Sequence, residues 1–135
     1  MEEYSDKSLV EKLGIKPYSR IFIINPPVNY FQILGDLPER VELKKELVGS
    51  ANLIQYFSKN REVLAVQFQE LASRIQKDGS LWICWPKKSS KIRTDLDENI
   101  IREIGLEEGM VDIKVCAIDE DWSGLKFVYR VSSRN

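Results

Sequence analysis

Ile21-Phe22-Ile23-Ile24, Leu53-Ile54-Gln55-Tyr56-Phe57 and Leu81-Trp82-Ile83-Cys84-Trp85 are almost unbroken apolar runs, each closed by a polar or prolyl break. Short runs of this kind are strands covered on both faces, as the central strands of a parallel sheet are. Such strands need helices to cover them. Ser8 and Glu11 have capping-box spacing around an apolar stripe of Leu9, Val10 and Leu13, with Gly14 as the stop. Leu64, Phe68, Leu71 and Ile75 recur at helical spacing, which predicts a helix from about Asn60 to Lys77 ended by Asp78-Gly79. Asp95 and Glu98 repeat the capping-box spacing, predicting a helix from Thr94 or Asp95 that buries Leu96, Ile100 and Ile104 and ends by Gly109.

Between these elements, Asn25-Pro26-Pro27 stops the first strand because proline donates nothing to a ladder, and Asn29 to Leu34 has room for one or two helical turns. Val41 to Lys44 alternates apolar and charged residues, the pattern of a half-exposed edge strand. If the stretch Val41 to Leu47 is the open edge it could pair with a second copy, although Glu42, Lys44 and Lys45 guard against it. Met110 to Ile118 and Leu125 to Val131 read as two strands joined by an acidic turn too short for anything but an antiparallel pair. The expected architecture is a three-layer α/β fold in one domain over residues 1–135. It has a mostly parallel six-stranded sheet, helices on both faces and a C-terminal antiparallel hairpin. Ser132 to Asn135 reads as a frayed end.

This order of elements resembles the second half of the class I methyltransferase fold, and nearly the whole chain can be laid on a shortened version of it. The resemblance implies a spatial strand order of 2-1-3-4-6-5. Cys84 and Cys116 would then stand two strands apart, at ~9 to 10 Å, too far to bridge. Leu13-Gly14-Ile15-Lys16-Pro17, Trp85-Pro86-Lys87-Lys88, Asp121-Trp122-Ser123-Gly124 and Lys126-Phe127-Val128 also resemble the motifs of the bacterial family catalogued as domain of unknown function 3052. That second resemblance implies a fold and brings no catalytic residues with it.

Composition removes several chemistries. The chain has no histidine, which excludes Ser-His-Asp and Cys-His hydrolytic sites, His-ligated zinc and imidazole acid–base catalysis. Its formal net charge of -1 offers no global field to nucleic acid or an anionic membrane, and no helix-turn-helix, RNP or zinc pattern occurs. No apolar run approaches the ~20 residues that span a bilayer, and the start, Met1-Glu2-Glu3-Tyr4, is acidic where a signal peptide is basic. The expected address is the cytoplasm. Both cysteines sit in apolar strands and read as buried small hydrophobes.

The candidate site is the rim at the carboxyl ends of the strands, residues 25–30, 58–60, 86–95 and 119–126. Lys87, Lys88, Lys91 and Arg93 crowd four cations, with no acid, just before Thr94 and a helix amino terminus, a setting suited to phosphate or carboxylate. Opposite them, Asp119, Asp121, Trp122 and Ser123 form an acidic turn that either pairs with the basic loop, the favoured reading, or flanks a cleft floored by the indole; Lys126 follows. Asp119, Asp121, Ser123 and Gly124 match the first half of a calcium loop, but its twelfth position is Arg130, so no metal is expected. A working methyltransferase should carry glycines after the first strand, where this chain has Asn25-Pro26-Pro27-Val28, and Glu46 is a weak candidate for a ribose-binding acid. The residues therefore favour a binding or regulatory module with no catalytic residues and no cofactor, recognising a small anionic molecule or a protein partner. The alternative is a small S-adenosylmethionine- or nucleotide-dependent transferase with a glycine-free cofactor loop.

Overall fold

The computed structural model describes residues 7–133, so the acidic start Met1–Tyr4 and the last two residues of the expected frayed end lie outside the described residues. The elements run α1 (Leu9–Leu13), β1 (Arg20–Ile24), α2 (Tyr30–Leu34), β2 (Glu42–Lys44), β3 (Ala51–Phe57), α3 (Arg61–Ser73), β4 (Ile75–Pro86), α4 (Glu98–Glu107), β5 (Met110–Ala117) and β6 (Trp122–Tyr129). A 3-10 turn, Val131–Ser133, follows. The sheet order is β2-β1-β3-β4-β6-β5, with β2, β1, β3 and β4 parallel and β6 antiparallel to both its neighbours. This is the expected methyltransferase-like order, closed by the C-terminal antiparallel hairpin.

Strand alternation divides the core into two layers. Ile21, Ile23, Leu53, Phe57, Trp82 and Cys84 pack beneath α1 and α2, whereas Phe22, Ile54, Tyr56, Leu81 and Ile83 pack beneath α3 and α4. The capping box of α1 forms as expected, with Ser8 and Glu11 exchanging hydrogen bonds and Gly14 left-handed at the C-cap. Cys84 and Cys116 flank Gly124 in register, and both are buried.

Three expected boundaries move, each because a tertiary partner overrides local pattern. The helix expected to reach Lys77 stops at Ser73: Ile75 pairs with Ala51, whose N–H donates to the Arg74 carbonyl at 2.8 Å, so β3 captures the backbone while Ile75 keeps its place in the core. The N-cap of α4 is Asp97, whose side chain accepts from the Ile100 N–H at 2.8 Å. Asp95 instead accepts from the Arg61 N–H at 2.7 Å and so helps cap α3. Finally, Trp122, Ser123 and Gly124 belong to β6 and not to the turn, because they pair with Pro86, Trp85 and Cys84 of β4.

One polar connection crosses the α1–α2 layer. The buried Tyr30 hydroxyl donates to Gln55 Oε1 at 2.7 Å, and Gln55 Nε2 donates to the Cys84 sulfur at 3.5 Å. Removing one partner strands the other away from water, whereas removing both leaves only apolar surface. Tyr30→Phe is expected to cost about 1–2 kcal/mol, and Tyr30→Phe/Gln55→Leu to recover most of it, in urea titrations. Additive losses in the double variant would show that the hydroxyl is not what Gln55 serves.

Candidate functional site

The chain leaves β1 toward β2 on one side of the sheet and returns to β3 on the other. The carboxyl ends of β1 and β3 therefore form the topological switch point, where open α/β sheets leave a crevice for ligands. A cleft of about 640 Å³ lies there, between Asn25-Pro26-Pro27-Val28 after β1 and Ser58-Lys59-Asn60 after β3. Tyr56, Phe57, Val63, Ile92 and Trp122 complete its walls. That size is within the range of small-molecule and cofactor sites, and so is its mostly apolar lining with a few polar groups.

Local chemistry explains each wall. Asn25 (φ 58°) and Asn29 (φ 69°) are left-handed, so asparagine makes turns that glycine would make in a glycine-rich loop. Pro26 and Pro27 between them offer no N–H, which removes backbone donors from this side. Across the cleft Tyr56 is only 4% exposed, yet its hydroxyl has no hydrogen-bond partner among the described residues and is not sealed from solvent. Burial holds that phenol above its ordinary pKa, so it is a neutral donor. Trp122, 6% exposed, stands edge-on to Phe57 with ring centroids 5.3 Å apart. The indole is thus a fixed wall.

The acidic turn forms a neighbouring recess of about 600 Å³ that shares Pro27, Val28, Ile92 and Trp122 with the cleft. Asp119 Oδ1 accepts from the N–H groups of Asp121 and Trp122, both at 2.8 Å, and so sets the turn. The basic loop frames a third recess, of about 430 Å³, lined by Lys87, Lys88, Ile92, Arg93 and Thr94. Asp95 and Asp97 line it too, so its charge is mixed. Thr94 is committed locally, its hydroxyl donating to the Lys59 carbonyl at 2.7 Å and accepting from the Leu96 N–H at 3.1 Å.

The expected ion pairing of turn and loop is not found. Among the described residues no side chain of 87–93 forms a salt bridge with Asp119, Glu120 or Asp121. They meet instead through backbone, the Lys87 N–H donating to the Asp121 carbonyl at 2.7 Å, and through Ile92, which lines all three recesses. Asn25, Lys87, Lys88, Arg93, Thr94, Asp119, Asp121 and Trp122 do assemble around this rim. Ser123 does not line it, being paired in β6 with Trp85 and Ala117. Lys126 lies farther along the antiparallel strand, at the other end of the sheet, beside Gly14 and Gly79. Glu46 lines none of the three rim recesses.

Tyr56, Phe57 and Val63 lie outside the rim expected from sequence, and Ile92 lies inside its 86–95 segment without being singled out there. Ile92 carries a signal in retrospect, as the one apolar residue among the basic and seryl positions 87–93. Tyr56 and Phe57 carry none, because an apolar residue that ends a strand looks like any other core residue until the sheet order is known.

Fold and switch-point cleft together define the class I methyltransferase-like architecture. Solved structures with this fold include a SAM-dependent methyltransferase from Aquifex aeolicus (TM-score 0.61, 13% identity, 88% of this chain and 86% of that one). The ribosomal protein L11 methylase from Lactobacillus delbrueckii subsp. bulgaricus superposes with a TM-score of 0.60 at 14% identity, covering 90% of this chain and 75% of that one. Magnesium protoporphyrin IX methyltransferase from Synechocystis, with bound SAM, gives 0.57 at 12% identity over 90% of this chain and 74% of that one. No family model and no curated protein matches the sequence. These likenesses correct the expectation that no cofactor is involved: the same fold holds S-adenosylmethionine and S-adenosylhomocysteine in the Synechocystis enzyme. Among the described residues no helix is long and apolar enough to cross a membrane.

Proposed function

We propose that this chain is a small transferase that binds a cofactor of the S-adenosylmethionine class in the cleft between the carboxyl ends of β1 and β3. The observation that carries this reading is the cleft's place, at the switch point of a methyltransferase-like sheet. Its residues fit an adenosyl group in character. Proline, valine, phenylalanine and tryptophan walls suit a planar base, while Asn25, Asn60 and the unpartnered Tyr56 hydroxyl are polar groups able to orient it. The acidic recess that continues past Trp122 gives a cationic end of the same ligand a complement in Asp119 and Asp121. With Pro26 and Pro27 after β1 and no acid contributed from β2, binding depends on side chains here more than on backbone amides. When bound, S-adenosylmethionine supplies an electrophilic methyl group on a sulfonium. This chain's residues would hold it in place and keep water from one face. The likeness to the family catalogued as domain of unknown function 3052, carried by Asp121-Trp122-Ser123-Gly124, is compatible with this reading and adds no chemistry to it.

Calorimetry and thermal shift with S-adenosylmethionine, S-adenosylhomocysteine and ATP test the proposal. Both adenosyl ligands are expected to bind, with Tyr56→Phe weakening each up to about tenfold through one lost hydrogen bond. Asp119→Asn keeps an oxygen for the two turn amides but removes the charge, so it should erode the preference for the sulfonium ligand over its neutral product. Absence of binding by either adenosyl ligand, or binding indifferent to both substitutions, overturns the assignment.

A further inference from the structure

We propose that the amino-terminal end of the sheet carries a separate site for a phosphate-bearing small molecule, built by Lys16 and Lys126 with Lys114 beside them. Three strands set the arrangement. Lys126 of β6 pairs in register with Trp82 of β4 on one side and with Lys114 of β5 on the other. Two lysines directly opposite each other across a ladder repel, and such pairs destabilise a sheet. Lys114 relieves its own charge by donating to the Lys12 carbonyl at 3.2 Å, near the carbonyl end of α1. Lys126 has no such relief. Its ammonium lies 6.0 Å from the Trp82 ring centroid, and among the described residues it has neither a salt bridge nor a hydrogen bond. Burial first, then Lys114 and Lys16, holds its pKa below the ordinary lysine value, as expected for a cation that lacks its counter-charge.

The unpaired ammonium faces a cavity of about 430 Å³ bounded by Gly14, Lys16, Tyr18, Asn52, Ser80 and Lys126. Its location is at the opposite end of the strands from the switch-point cleft, and no residue lines both. Two segments singled out in the sequence, Leu13-Gly14-Ile15-Lys16-Pro17 and Lys126-Phe127-Val128, are brought together here. At the mouth Tyr18 is 69% exposed and left-handed at φ 66°, a conformation a bulky side chain adopts only under constraint. Its own N–H is held by the Glu39 carbonyl at 3.1 Å. Asp78 is the one acid among the lining residues, and it pairs with none of the three lysines. A phosphate monoester carries close to two negative charges near pH 7 and would settle the repulsion among the three ammonium groups. The cavity is larger than inorganic phosphate, which points to a phosphorylated organic molecule with a ring to lay against Tyr18.

Calorimetry on the full chain with phenyl phosphate, ribose 5-phosphate and inorganic phosphate tests this, with amide shifts read by NMR to locate the ligand. Phenyl phosphate should bind most tightly and shift the amides of Gly14 and Gly79. Lys126→Met, which keeps the apolar stem over Trp82, and Lys16→Met should each weaken it about tenfold or more, the scale of one desolvated charge pair. Without ligand, Lys126→Met should melt no lower than the parent, because it relieves the repulsion; a lysine kept for its cation–π contact with Trp82 would give the reverse. No binding by any of the three phosphates, affinity unchanged in Lys126→Met, or shifts confined to the rim around Asn60 and Lys87 would each overturn the site.

Discussion

Gly105→Ala in the last turn of α4 is expected to destabilise the protein by about 3 kcal/mol, although alanine is the better helix former by up to about 1 kcal/mol. The reversal comes from close packing. A Cβ on Gly105 would fall inside the Phe127 ring, with Cζ at 2.6 Å and Cδ1 at 2.7 Å. Phe127 cannot yield, because it is fully buried and held edge-on by Phe68, with ring centroids 5.3 Å apart. Either α4 lifts from the sheet, or the aromatic pair between α3 and β6 breaks. Urea titration measures the loss, and Gly105→Ala/Phe127→Leu should be more stable than the sum of its single variants by about 1 kcal/mol or more. A stabilised Gly105→Ala would mean that α4 does not press on Phe127.

Alkaline pH is expected to remove about 4 kcal/mol by pH 11, more than most single substitutions do. Cys84 and Tyr30 are both buried, and burial raises both pKa values in the folded protein far above those of the unfolded chain, near 9.0 and 10.0. The nearby Cys116 and Asp119 push the same way for each, whereas the contacts with Gln55 oppose it. Above pH 9 the unfolded thiol therefore releases its proton while the native thiol keeps it, so the native state holds more protons and stability falls as pH rises. Each group contributes about 1.4 kcal/mol per pH unit beyond its unfolded pKa, the thiol from about pH 9 and the phenol from about pH 10. Lys126, whose folded pKa is depressed, works in the opposite sense, but it is partly exposed and offsets only a fraction. Urea midpoints at pH 7, 9, 10 and 11 measure the slope. In Cys84→Ala the decline should begin about one pH unit later. A midpoint flat to pH 11 would show that neither group is sealed from solvent in the native state.

Legibility differs between the sheet and the site for a physical reason. Residues 21–24 of β1, 53–57 of β3 and 81–85 of β4 announce themselves because a strand buried on both faces is almost wholly apolar. The α1 cap is legible because Ser8 and Glu11 satisfy each other locally. Asp95 misleads because its carboxylate has capping-box spacing to Glu98 yet serves the amide of Arg61, far away in sequence. Ile75 misleads in the same way, since a core position reads as helical whether helix or strand delivers it. At the rim, the charges of the basic loop and acidic turn are visible in sequence. Whether they neutralise each other depends on Ile92 and on one backbone hydrogen bond, and neither follows from charge.

What the sequence alone determined is which segments become buried strands and covering helices, and the list of impossible chemistries; the strand order was implied by the resemblance to the methyltransferase fold and is set by the tertiary pairing. Apolar runs, prolyl stops and helical periods are local consequences of burial, and the absence of histidine is absolute. Only the tertiary structure decided which residues face one another. It set Tyr56, Phe57 and Trp122 around a cleft at the switch point. It also carried Lys126 away from the acidic turn to the far end of the sheet. An antiparallel strand advances ~3.4 Å with every residue, so a lysine four positions past the tryptophan cannot share its rim. Side-chain identity is written along the chain, but its neighbours are set by register.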